Sequence, residues 1–177
     1  TAYSNKLTTL PDSIAALAQM KTLDLCGNKF TTLPKPIVKL TSLTELDLEN
    51  NQLVTLPDPM AALTALEKLY LGSNKFTTLP KPIVKLTSLT ELSLWRNQLV
   101  TLPDSIAALT TLKELDLFSN KFTTLPKPII KLTSLTKLHL SGNQLVTLPD
   151  SIAALTALKE LNLHYNKFTT FPKPIVK

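Results

Sequence analysis

The polar and apolar positions of this chain keep a strict frame. In Glu45-Leu46-Asp47-Leu48-Glu49-Asn50-Asn51-Gln52-Leu53, leucines alternate with polar residues, then yield to an asparagine followed two positions later by another leucine. Alternation of this kind predicts a short strand with one buried face. Asparagine returns in the same setting at positions 5, 28, 51, 74, 97, 120, 143 and 166, every step being 23 residues. A fixed period of that size predicts stacked repeats, each burying its apolar face only against its neighbours. Successive strands then form one parallel sheet, about 4.8 Å apart. Each asparagine is expected at the bend after a strand, where its amide donates to and accepts from backbone that the turn leaves unpaired.

With the asparagine as position 0, the unit reads N-x-(L/F)-x-x-L-P-x-x-I-x-x-L-x-x-L-x-x-L-x-L-x-x. The pattern resembles the leucine-rich repeat family, and its L-P-x-x-I segment is similar to the 23-residue class of bacterial and intracellular eukaryotic members. The resemblance covers the whole chain. It implies an α/β repeat fold: a right-handed solenoid with a concave parallel β-sheet and a convex side of short helical turns and proline-rich extended segments. Residues 1–177 are expected to form a single domain of about eight repeats, without recognisable caps. The resemblance also implies ligand recognition in signalling, host–microbe contact or immune-type sensing.

All 13 prolines fall in two slots of the repeat, either directly after the leucine at position 5 or two residues later. Proline fixes φ and donates no hydrogen bond, so this side of the coil is not sheet. The segment 103–109 allows a short helix capped by Asp104 or Ser105, whereas 80–85, with two prolines, permits at most one turn. A second period of 46 overlies the first: Asn-Lys-Phe-Thr-Thr opens the repeats at Asn28, Asn74, Asn120 and Asn166, and Asn-Gln-Leu-Val-Thr those at Asn51, Asn97 and Asn143. Recent duplication of a two-repeat unit and consensus design both account for this regularity. Neither end carries a distinct capping repeat, which leaves open a fragment of a longer array or end-to-end self-association.

The repeats differ from one another in one place. Residues 28–46 and 74–92 are identical over 19 positions, yet Asp47-Leu48-Glu49-Asn50 follows the first and Ser93-Leu94-Trp95-Arg96 the second. The leucines persist while their neighbours change. Side chains alternate across a sheet, so the changing positions face outward on the concave surface. They hold the only tryptophan, Trp95, the tyrosines Tyr3, Tyr70 and Tyr165, both histidines, His139 and His164, the only arginine, Arg96, and Cys26. Tyrosine, tryptophan and arginine are enriched in interface hot spots. Two blocks stand out: an acidic patch of Asp24, Glu45, Asp47 and Glu49, and an aromatic-rich run of Tyr70, Trp95, Phe118, His139, His164 and Tyr165. The expected function is a non-enzymatic protein-binding module, its ligand anchored on Trp95 and Phe118 and steered by the acidic patch. The ligand-binding set is Asp47, Glu49, Tyr70, Trp95, Arg96, Phe118, His139, His164 and Tyr165. The alternative is a structural or designed scaffold, for example a spacer within a surface adhesin, with no specific ligand.

Charge and chemistry narrow this further. The formal charge is +6, but the concave strands carry eight acids against three bases, a net −5 that leaves +11 elsewhere. Much of that is an outer lysine array (Lys35, Lys39, Lys81, Lys85, Lys127, Lys131, Lys173, Lys177) without stacking aromatics, which argues against nucleic acid as the partner. No apolar run approaches the roughly 18 residues of a membrane span, and the first residues show no secretory signal pattern. Asp116 and His139 share a slot in adjacent repeats, as do Ser141 and His164, but a regular sheet supplies neither the third orienting group nor the oxyanion hole of serine catalysis. Asp116, His139 and His164 lack a closed metal-ligand set, and no phosphate loop or dinucleotide fingerprint is present, so no cofactor is expected.

Overall fold

Among the described residues, the alternating leucines form seven three-residue strands, β1 (Thr22–Asp24), β2 (Glu45–Asp47), β3 (Lys68–Tyr70), β4 (Glu91–Ser93), β5 (Glu114–Asp116), β6 (Lys137–His139) and β7 (Glu160–Asn162). The structure is a computed structural model that describes residue 2 and residues 4–170. All strands are parallel and lie in sequence order in one sheet. Register advances by one repeat per strand: Leu23 pairs with Leu46, Leu46 with Leu69 and Leu69 with Leu92. The chain coils as a right-handed solenoid with this sheet on its inner curve and short 3-10 turns outside. Tyr3, Pro172, Lys173, Pro174 and Lys177, which the sequence places in the repeating frame, lie outside the described residues.

Every strand sends its central leucine inward, and the leucine two residues later follows it. Leu46, Leu48, Leu69, Leu71, Leu94, Leu117, Leu138 and Leu140 are fully buried. One apolar cluster runs without interruption from Leu23 to Leu155. Burying such a side chain contributes about 1.5–3 kcal/mol, and stacking lets each coil use the same leucines against two neighbours. Phe30, Phe76 and Phe122 are also fully buried, in the slot that Leu53, Leu99 and Leu145 occupy in the intervening coils. Outside the core, Lys75, Lys121 and Lys167 each donate from Nζ to the glutamine one coil earlier (Gln52, Gln98, Gln144) at 3.1–3.3 Å. These bonds link the two coils of each 46-residue unit.

The convex side carries the expected short helical turns, but not the expected side-chain cap or the difference between the two kinds of segment. Both kinds of segment, Asp104–Ala108 and Lys81–Lys85, fold as the same five-residue 3-10 turn, and neither Asp104 nor Ser105 makes a capping bond. The proline before each segment supplies the first acceptor instead, as where the Ile106 N–H donates to the Pro103 carbonyl at 3.1 Å. Asp104 and Ser105 remain exposed, so their N–H groups are open to solvent and no cap is needed. Pro82 sits within the first two positions of its turn, where its missing N–H has no partner to lose.

The asparagines form a ladder through the bend. Asn51 donates from Nδ2 to the carbonyls of Leu48 and Glu49 in its own coil and of Leu25 in the previous one, each at 3.1 Å. Its Oδ1 accepts from the Phe30 N–H, also at 3.1 Å. The same four bonds recur at Asn74, Asn97, Asn120 and Asn143, all of them buried. Just before each asparagine the backbone turns left-handed: Gly27, Asn50, Ser73, Arg96, Ser119, Gly142 and Tyr165 all have φ between 47° and 68°.

Candidate functional site

Three columns of outward side chains cross the sheet. The first runs through Glu45, Lys68, Glu91, Glu114, Lys137 and Glu160, the starts of β2 to β7. Its opposite charges pair in place, Lys68 with Glu91 at 3.2 Å and Lys137 with Glu114 at 2.7 Å. The second runs through Asp24, Asp47, Tyr70, Ser93, Asp116, His139 and Asn162 at the strand ends. The third, two residues further on, holds Cys26, Glu49, Gly72, Trp95, Phe118, Ser141 and His164.

The second column contains a device that sequence reasoning missed. Oδ1 of Asp24, Asp47, Asp116 and Asn162 accepts the N–H two residues later, at 2.8–3.2 Å. An aspartate or asparagine here closes the turn on its own backbone. The Asx residue in four of seven repeats was the available signal. Burial pushes the Asp47 carboxyl up to about 6; the Glu49 N–H opposes this, and the charges of Glu49, Asp24 and Glu45 add to it. A raised carboxyl contributes stability that is complete below its unfolded pKa near 4 and is lost as pH rises through 6. Asp47→Asn keeps the turn bond, as Asn162 does, and removes the charge. The variant is expected to match wild type at pH 4 and gain about 1 kcal/mol at pH 7.5, the full shift being worth about 3 kcal/mol before solvent screening of a half-exposed group. Urea denaturation at the two pH values checks this; a gain independent of pH would assign it to something other than charge.

Near the middle of the sheet the acidic and aromatic blocks, separate in the sequence, join. Trp95 donates from Nε1 to Glu49 Oε1 at 2.6 Å, and Ser93 Oγ donates to the same oxygen at 2.7 Å. The indole reaches across the intervening coil because Gly72 has no side chain; a methyl there would run into the ring. Phe118 leans the other way and covers Gly142, where an added Cβ would stand 3.0 Å from its Cε2. Tyr70 donates its hydroxyl to Glu91 Oε2 at 2.6 Å. Burial, that bond and the nearby acids push the phenol well above its ordinary range. Burial also raises Glu91, but the Tyr70 hydroxyl and the Lys68 ammonium outweigh it and hold the carboxyl low.

A depression of about 320 Å³ opens at this junction, lined by Glu49, Tyr70, Leu92, Ser93, Trp95, Leu115 and Asp116. His139 and Lys137 line it as well. Of the predicted ligand-binding residues, Glu49, Tyr70, Trp95 and His139 therefore converge. Phe118 lies on the same face but outside the depression. Asp47 faces outward one coil before Tyr70. Arg96 and Tyr165 sit at left-handed bend positions, where the changing residue answers a backbone requirement as well as a surface one. The Arg96 guanidinium stacks 5.5 Å from the Trp95 ring centre, and the ring of the exposed His164 lies 6.4 Å from that of Tyr165.

The pairings considered for catalysis take other partners. His139 Nε2 lies 3.0 Å from Glu160 Oε1, and among the described residues no hydrogen bond joins Ser141 to His164. No group of three His, Cys, Asp or Glu among the described residues is placed to hold a metal ion. Burial raises the Cys26 thiol, which disfavours the nucleophilic thiolate. Among the described residues no helix is long and apolar enough to cross a membrane.

This frame of buried leucines, asparagine ladder and outward columns is that of a repeat solenoid with one exposed sheet. The chain belongs to the leucine-rich repeat family: it matches the leucine-rich repeat region over residues 5–101, the leucine rich repeat over 87–145 and the two-copy form over 133–174. No curated protein sequence matches it at a significant level. Among solved structures, a leucine-rich repeat protein of Leptospira interrogans is 40% identical, with TM-score 0.72 over 96% of this chain and 55% of its own. Internalin C2 of Listeria monocytogenes is 29% identical, with TM-score 0.88 over all of this chain and 75% of its own. A plant peptide hormone receptor, RGFR1, solved in complex with RGF2, is 27% identical, with TM-score 0.71 over 89% of this chain and 30% of its own. The chain thus spans about half the Leptospira protein and less than a third of the plant receptor.

Proposed function

We propose that this chain is a non-enzymatic binding module that recognises a protein ligand on its concave sheet. The observation that carries the reading is the confinement of sequence change: buried leucines and asparagines repeat coil after coil, while Tyr70, Trp95, Phe118 and His139 replace one another on a single face. Aromatic side chains there offer large, rigid contact area at low entropic cost. Among the structural neighbours, the plant peptide hormone receptor RGFR1 was solved in complex with RGF2, which supports a peptide or protein as the ligand class. The 19-residue identity between repeats favours the competing reading of a spacer.

A displayed random-peptide library selected on the immobilised chain separates the two. Concave binders are expected to lose at least about tenfold in affinity for Trp95→Ala/Phe118→Ala and less than about twofold for Lys81→Glu/Lys127→Glu on the convex side. Binders with the opposite dependence would overturn the concave assignment, and a selection that enriches nothing would favour the spacer.

A further inference from the structure

We propose that the depression lined by Trp95 and Tyr70 receives an arginine side chain of the protein ligand. The inference rests on the concave-face reading and names the chemistry of its central contact. Four carboxylates line the depression, and they fall into two kinds. Glu91 and Glu114 already have cationic partners in Lys68 and Lys137. Glu49 and Asp116 have no lysine or arginine partner among the described residues. Both are instead held by neutral donors through one oxygen: Glu49 Oε1 by Trp95 and Ser93, Asp116 Oδ1 by the Phe118 N–H. Among the described residues no ion pair engages the second oxygen of either.

The two charges also sense each other. Burial raises the Asp116 carboxyl, the Phe118 N–H and His139 pull it down, and Glu49 pushes it up again. Leaving two half-buried carboxylates uncompensated is unfavourable, and a cation supplied by a ligand recovers that energy.

Which cation follows from shape. A bare metal ion needs several ligands converging on one point, and no such group exists among the described residues. A guanidinium presents five N–H donors in a planar fork, can bridge carboxylates that do not share a point, and stacks on aromatic faces. The lining includes an indole and a phenol, and about 320 Å³ accommodates the fork with its stem. Arg96 already lies against the indole at 5.5 Å from outside the depression, so this ring accepts a guanidinium neighbour.

The test uses blocked arginine (N-acetyl-arginine methylamide), with the blocked citrulline and lysine analogues as probes of charge and of shape. Trp95 is the only tryptophan, so its emission and its Nε1–H resonance report the site directly. Blocked arginine is expected to saturate with a Kd of roughly 1 mM, weakened by added salt. Citrulline, isosteric but neutral, should bind at least about tenfold more weakly. Glu49→Gln/Asp116→Asn keeps both acceptor oxygens, and so the fold, and should also lose about tenfold. No saturable response, equal binding of citrulline, or full affinity in the double variant would each overturn the proposal. Equal binding of lysine would overturn the guanidinium assignment. Failure here with library binders that still depend on Trp95 and Phe118 would leave the concave reading standing, so the two can fail separately.

Discussion

Replacing Asn74 with alanine is expected to lower stability by about 3 kcal/mol, more than any surface change on this chain. Its Oδ1 is the sole acceptor for the buried Leu53 N–H at 2.9 Å. Its Nδ2 donates to the carbonyls of Leu48, Leu71 and Gly72 at 2.9–3.2 Å. These losses are unequal. Leu48 keeps a bond from Asn51, Leu71 one from Asn97, and Gly72 one from the Asn50 N–H. The Leu53 N–H keeps nothing, and an orphaned buried donor alone costs about 1–3 kcal/mol. Because each coil stabilises only its neighbours, the damage should also broaden the unfolding transition around the third and fourth coils. Denaturation followed by Trp95 emission, which reports the middle of the array, and by backbone dichroism, which reports all of it, checks both points. Stability within about 0.5 kcal/mol of wild type would mean that water enters the bend and replaces the amide.

Gly72→Ala is expected to cost about 2 kcal/mol although the residue has no side chain to lose. Its backbone is not left-handed, so alanine meets no conformational penalty there. The added methyl instead occupies the space of the Trp95 indole and breaks its bond to Glu49, a charge-assisted bond worth about 1.5–3 kcal/mol. Emission from Trp95 should shift to the red as the ring moves into water. In a Trp95→Ala background the same substitution should cost less than about 0.5 kcal/mol, giving a coupling of about 1.5 kcal/mol in the double-mutant cycle. Additive effects would show that Gly72 is required for the sheet and not for the indole. The cycle therefore asks whether the middle of the concave face is built around this ring.

Much of this molecule can be read from its leucines. Strand positions, the parallel order, the 23-residue register and the inward or outward sense of every concave residue follow from alternation and period. So does the role of the asparagines, because a bend repeated at each coil needs a donor and an acceptor at the same place each time. The convex turns were less legible. Asp104-Ser105 resembles a helix start, but the segment folds as a 3-10 turn that the Pro103 carbonyl and not a side chain initiates.

The candidate site shows the boundary most clearly. The sequence by itself determined which face varies and that Tyr70, Trp95, Phe118 and His139 lie on it, since a two-residue period leaves no other choice. Only the tertiary structure decided that Glu49 belongs with Trp95, 46 residues away, that Phe118 turns toward Gly142 and out of the depression, and that Asp47 and Asp116 close turns while they carry charge. Stacking fixes where each Cβ stands, and that much repeats with the sequence. Where a long side chain then reaches depends on what the coils above and below leave empty, and a glycine in the coil between a glutamate and a tryptophan has no meaning until the coils are stacked.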